Sequence, residues 1–144
     1  MSIREEPASL AHVLVMMDGP PGLRLPLLKT TYRMIGAQMA ASDAFALFDG
    51  DSEIPFAIIG GAYLPAGGIE AWFLVRPGGL RSDLLLGLIR LARTKLDATQ
   101  MRAIAFVNIG NKAGERLSRL IGFYPGEACI AGAREWRREA WVKS

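Results

Sequence analysis

Residues 69–107 read IEAWFLVRPGGLRSDLLLGLIRLARTKLDATQMRAIAFV. Three patterns succeed one another in this stretch. Ile69–Val75 is rich in branched and aromatic residues, which suit a pleated strand. Pro77, Gly78 and Gly79 stop it, because proline lacks an N–H for the ladder and glycine frees the backbone. From 80 to 96, Leu84, Leu85, Leu88, Ile89, Leu91 and Ala92 recur at three- and four-residue intervals with Arg81, Arg90 and Arg93 between them. That spacing predicts an amphipathic helix, the longest in the chain. Residues 103–107 are an unbroken apolar run, as expected of a strand covered on both faces. A strand, a long helix and a second strand predict a crossover between parallel neighbours.

Downstream, residues 111–123 read NKAGERLSRLIGF. Asn111 is a good N-cap, since its side-chain oxygen can take an orphan backbone N–H. Ala113, Leu117, Leu120 and Ile121 predict a buried stripe, with Lys112, Glu115, Arg116 and Arg119 on the wet face. Gly122 is free to close the helix in a left-handed conformation. Strands are predicted at 123–130 and from 135 onward, around a Gly–Ala turn at 132–133. Upstream, 7–17 and 26–41 carry helical spacing, separated by the breaker DGPPG at 18–22. Residues 45–48 and 54–63 read as strands joined by a tight DGDS turn at 49–52, opening an antiparallel meander. The order α-α-β-β-β-α-β-α-β-β predicts an α/β domain with a mixed sheet of six or seven strands, one domain over 1–144. Its expected core includes Leu84, Leu88, Leu91, Ile104, Phe106, Leu117 and Leu120, with Arg134, Arg137 and Arg138 exposed on the last strand.

With 144 residues, 51% of them hydrophobic, the chain can bury one sizeable core. Its apolar runs fall short of the ~20 residues that span a bilayer. The opening MSIREEP carries acids where a secretory signal would be basic and then apolar, which points to a cytoplasmic protein. One cysteine and one histidine leave no set for a His/Cys metal site or an internal disulfide. Cys129 is expected as a small core residue and His12 as a partly buried structural one. The net charge of +3 comes mostly from arginines in the second half, interleaved with apolar residues and acids. Such interleaving describes solvated faces rather than a nucleic-acid footprint.

This order, together with Val75-Arg76-Pro77 before the long helix and the spacing Asn111, Leu117, Gly122, Phe123 after the buried strand, resembles the GCN5-related N-acetyltransferase (GNAT) superfamily. The resemblance runs from about Ile3 to the end. It implies an acyltransferase that passes an acetyl or other acyl group from acyl-CoA directly to an amine, with no covalent enzyme intermediate. By the same resemblance, the pantetheine arm of acetyl-CoA lies beside Leu74 and Val75, and the pyrophosphate sits on Gly78, Gly79, Arg81 and Ser82 at the start of the long helix. Asn111 completes the cofactor wall, and Glu70 is the candidate carboxylate for deprotonating the amine. The sequence departs from the family pattern at Arg81, Asp83 and Leu85, which stand where the family has glycines, and at Ser118, where members commonly carry a tyrosine to protonate the leaving thiolate. Ala71, Trp72 and Leu74 also resemble short GNAT-like proteins of podoviruses and prophages. That narrower likeness implies an alternative: a catalytically inactive protein, acyl-CoA binding lost, that joins a phage particle or a host complex.

Overall fold

Segment 69–107 folds as strand, helix and strand. The computed structural model describes residues 3–17, 36–37, 39–76 and 78–140. Its elements are β1 (Ile3–Pro7), α1 (Leu10–Met17), β2 (Ser42–Asp49), β3 (Ala57–Tyr63), β4 (Ile69–Val75), α2 (Ser82–Thr99), β5 (Ala103–Asn108), α3 (Lys112–Ile121), β6 (Tyr124–Ile130) and β7 (Ala133–Arg138). The seven strands hydrogen-bond in the order β1-β2-β3-β4-β5-β7-β6, a mixed sheet of the α/β class. No described helix is long and apolar enough to cross a membrane. The chain forms two units, residues 1–62 with 73–86, and residues 63–72 with 87–144.

In the first unit β1 and β3 both pair antiparallel with β2, from Ile3↔Asp49 to Pro7↔Phe45 and from Ser42↔Ala62 to Leu47↔Ala57. β1 corrects the expected order, which began with a helix. Its Arg4, Glu5 and Glu6 hide the strand signal, but charge on an edge strand discourages pairing with foreign chains. Arg4 ties it down: Nη1 donates to the Gly50 carbonyl at 2.6 Å, Nη2 to that of Ser52 at 3.2 Å, and the guanidinium lies 4.4 Å from the Phe48 ring centre. The first helix accordingly starts at Leu10, not at residue 7. Ser9 precedes it, and Ser9 N–H donates to His12 Nδ1 at 3.0 Å while Ser9 Oγ accepts from His12 N–H at 3.4 Å, a reciprocal cap. His12 also meets Phe48 edge-on, so its role is structural as expected. The expected tight turn at 49–52 is longer, since β3 begins only at Ala57 and Phe56 N–H donates to the Leu47 carbonyl at 2.8 Å. Most of the second predicted helix lies outside the described residues, of which 36–37 and 39–40 are helical. Val13 and Met16 are buried, as are Leu47, Phe48, Phe56 and Ile58 of the strands and their connection.

In the second unit β4 and β5 are parallel, as the crossover requires, through Ile69↔Ala103 and Glu70↔Ile104. β7 pairs antiparallel with β5 from Ala103↔Arg138 to Asn108↔Ala133 and with β6 on its other side. Leu84, Leu88, Ala92 and Leu96 form the buried edge of α2, so two expected core leucines hold, while Leu91 is half-buried. β5 is not covered on both faces. Ala103, Ala105 and Val107 are buried, Ile104 is half-buried and Phe106 is 37% exposed, which corrects both latter placements in the core.

The expected stripe of α3 is rotated. Ser118 and Ile121 are buried, Leu117 is half-buried, and Ala113 and Leu120 are exposed. Size decides this face: a Cβ at Gly114 would stand 3.0 Å from Val107 Cγ1, so Gly114 and Ser118, four residues apart, let the helix approach β5 closely. The caps are as expected. Asn111 Oδ1 accepts from Gly114 N–H at 3.0 Å, and Gly122 at φ 110° lets the N–H groups of 122 and 123 reach the carbonyls of Arg119 and Ser118.

Two further expectations are corrected. Cys129 is exposed, because nearly all of β6 is. Arg138 is 1% exposed rather than free in solvent. Strand alternation puts it on the face of buried Trp136, where Nε donates to the Ile121 carbonyl at 3.1 Å and Nη2 to Asp97 Oδ1 at 2.6 Å. Arg134 and Arg137 are exposed, as expected.

Candidate functional site

Within the first unit, the end of β4 leads into the start of α2 through a short open connection. Arg76 N–H donates to the Phe56 carbonyl at 3.0 Å, which fixes the chain just past the half-buried Leu74 and Val75. Pro77 lies outside the described residues. Gly78 and Gly79 follow with φ of 90° and 81°, angles that side chains rarely tolerate, and nothing stands within 4 Å of where a Cβ would be. The backbone is therefore bare there. Leu85 N–H donates to the Arg81 carbonyl at 3.0 Å, so the helical ladder begins at that point. The amides of the first turn, Ser82 among them, have no helical carbonyl to meet, and a helix N-terminus favours negative charge.

The chain's own charge meets this end of the helix. Asp83 lies in the first turn of the helix. Its carboxylate binds Arg81, with Nε to Oδ1 at 3.2 Å and Nη2 to Oδ2 at 3.4 Å. The same Nη2 donates to Asp49 Oδ2 at 3.0 Å. The Arg81 hydrogen bond is the chief cause holding Asp83 below its ordinary carboxylate value, and Asp83 followed by Asp49 raises the guanidinium. One cation thus sits between two anions. Asp83 was legible as a misfit beside a phosphate, but Asp49 lies 32 residues upstream of Arg81 and no spacing in the sequence links them.

Of the other sequence-derived candidates, Glu70 and Asn111 belong to the second unit. Glu70 is half-buried on β4, where it pairs with Ile104. Asn111 is exposed, with its oxygen engaged as the cap of α3. Ser118 faces the packed side of α3 and is 3% exposed.

Bare glycine backbone, a helix N-terminus and an arginine stand together, as a phosphate-bearing ligand would need. In kind, these groups fit a pyrophosphate, and Asp83 stands beside them.

No protein-family model matches the sequence, and no curated protein does. Solved structures do match. An acetyltransferase from Agrobacterium tumefaciens str. C58 superposes with a TM-score of 0.69 at 14% identity, over 95% of this chain and 90% of that one. The PaiA N-acetyltransferase from Thermoplasma acidophilum, solved in complex with coenzyme A, gives 0.65 at 10% identity, over 96% and 99%. A spermidine N-acetyltransferase chimera built from the Vibrio cholerae SpeG enzyme and hSSAT gives 0.65 at 9% identity, over 96% and 95%. Strand order, the parallel crossover and agreement over nearly the whole length show that this chain has the fold of the GCN5-related N-acetyltransferases.

Proposed function

We propose that the chain is an N-acyltransferase that takes an acetyl or other acyl group from acyl-CoA and passes it to an amine. The observation that carries this reading is the passage from β4 through two bare, left-handed glycines into a helix N-terminus that carries Arg81. Fold alone would not suffice, since one fold serves many functions. The coenzyme A bound by the Thermoplasma protein and the polyamine named for the Vibrio chimera support the ligand class and the acceptor class.

When bound, acyl-CoA supplies an activated thioester carbonyl. Backbone amides at Gly78, Gly79 and Ser82, with the Arg81 guanidinium, would hold its phosphates, and the β4 backbone at Leu74 and Val75 would align its arm. Holding two reactants in place accounts for much of the rate of such a transfer, so no nucleophilic side chain is needed. Glu70 is the carboxylate assigned to the amine proton, directly or through a water, because an ammonium has no lone pair with which to attack. Asn111, whose oxygen caps α3, would contribute to the coenzyme wall as the resemblance implies.

The test is thiol release from acetyl-CoA with a panel of primary amines that includes polyamines and peptide N-termini. Amine-dependent release is expected, and Glu70→Gln is expected to slow it roughly 100-fold or more at unchanged coenzyme affinity, the usual share of a general base. Absence of release with every amine, and of coenzyme binding by calorimetry, would refute the proposal. One observation favours a second reading. With Arg81 neutralised by Asp49 and Asp83, the fold could serve a phage or host complex as an interaction module without catalysis, and that refuting result would select it.

A further inference from the structure

We propose that Asp83 is an autoinhibitory ligand: its carboxylate, in the first turn of α2, occupies the arginine that the coenzyme pyrophosphate needs, so coenzyme must displace it to bind. This rests on the acyltransferase reading above and concerns the regulation of the same residues. A carboxylate in a first helical turn is commonly only a helix stabiliser, whose favourable partner is the dipole. Here the partner is also the nearest cation of the loop, and that cation is shared with a second acid. Arg81 Nη2 meets Asp49 at 3.0 Å and Asp83 at 3.4 Å, while Nε meets Asp83 at 3.2 Å. Two acids around one base leave a net charge of −1 beside bare glycine backbone, which opposes a dianionic pyrophosphate twice, by occupancy and by repulsion.

The contact is nonetheless built to open. The side chains of Arg81, Asp83 and Asp49 are 55%, 45% and 30% exposed, so water can take over each group as it turns away. Exposed ion pairs of this kind are weak, and release of the clasp needs no movement of the backbone. Gly78 and Gly79 already hold the loop in its left-handed shape with open space beside it, so the site lacks only the vacancy of its donors.

Calorimetry of free coenzyme A on the whole protein tests the proposal without relying on turnover. Asp83→Asn removes the charge, and Asp83→Ser keeps a helix-capping oxygen while shortening the side chain; the position is exposed, and urea unfolding confirms that the variants remain folded. Losing a competitor worth one helix-end charge plus one exposed ion pair should tighten binding about 3- to 30-fold. Asp49→Asn, which frees only one contact of Arg81, should give a smaller gain. Glu127→Gln, an exposed acid on β6, controls for net charge and should give none. If the wild type binds coenzyme A as tightly as the Asp83 variants, the autoinhibitory role is wrong and the acyltransferase reading stands. If Glu127→Gln gains as much as Asp83→Asn, a general charge effect replaces the proposal. If no protein in the series binds coenzyme A, both the inference and the reading beneath it fall.

Discussion

The pair of buried Arg138 and exposed Asp97 yields a prediction whose two halves differ in size. Arg138 is 1% exposed, whereas the Asp97 side chain is 56% exposed. Removing the acid by Asp97→Ala leaves a buried guanidinium with its bond to the Ile121 carbonyl at 3.1 Å and no counter-charge at the Asp97 position. Breaking a buried pair from one side costs ~3 to 5 kcal/mol, and because water can enter where Asp97 stood, the lower end, about 3 kcal/mol, is expected. Arg138→Met removes the charge itself, returns Asp97 to solvent and leaves one carbonyl without its donor, a loss of ~1 to 3 kcal/mol. Once the arginine is gone, removing Asp97 as well should cost almost nothing more. A double-mutant cycle by urea unfolding should therefore show a coupling of about 2 to 3 kcal/mol, at constant m-value. Additivity of the two single changes within about 0.5 kcal/mol would show that the 2.6 Å contact does not couple them and that Arg138 is held some other way.

Two further outcomes are expected. Gly114→Ala should destabilise by ~1 kcal/mol, because the new methyl meets Val107 Cγ1 at 3.0 Å and the Asn111 amide at 2.6 Å, and the lost cap and crowding outweigh a helix-propensity gain of about 1 kcal/mol; a stabilised variant in thermal unfolding would contradict the close approach of α3 to β5. Asp83, held below its ordinary value of 3.8, contributes stability that is present above pH 3.8 and lost as pH falls through its lower folded-state value. The stability gap between wild type and Asp83→Asn, followed by urea unfolding across acid pH, should hold at neutral pH and narrow as pH falls below 3.8; a gap that does not narrow there would mean that charge is not its origin.

What the sequence disclosed, and what it withheld, follows from the kind of signal each element carries. The crossover was legible because the leucines of α2 and the apolar run of β5 advertise burial by hydrophobicity alone. The cap of α3 was legible because Asn111 and Gly122 act through local backbone bonds. Its face was not, since Gly114 and Ser118 earn their place by being small, which hydrophobic periodicity does not count. β1 escaped notice because its three charges belong to an edge. Arg138 could have been found: a period of two places it with Trp136, and a buried tryptophan carries its same-face neighbours inward. Of the candidate site, the two glycines and the misfit of Asp83 could be read directly, but the clasp could not, because Asp49 reaches Arg81 only through the folded chain.

The position of β7 governs when this protein can fold as it is synthesised. β7 is the last strand of the described chain, yet it lies between β5 and β6 in the sheet. Until residue 138 has emerged from the ribosome, β5 and β6 have no common partner, and each presents an open edge to neighbouring nascent chains. The strands of the first unit, by contrast, pair with partners made earlier, so translation offers them a head start. Stalling between 108 and 138 would accordingly leave an adhesive half-sheet, and Arg138 can reach the Ile121 carbonyl only after β7 has docked.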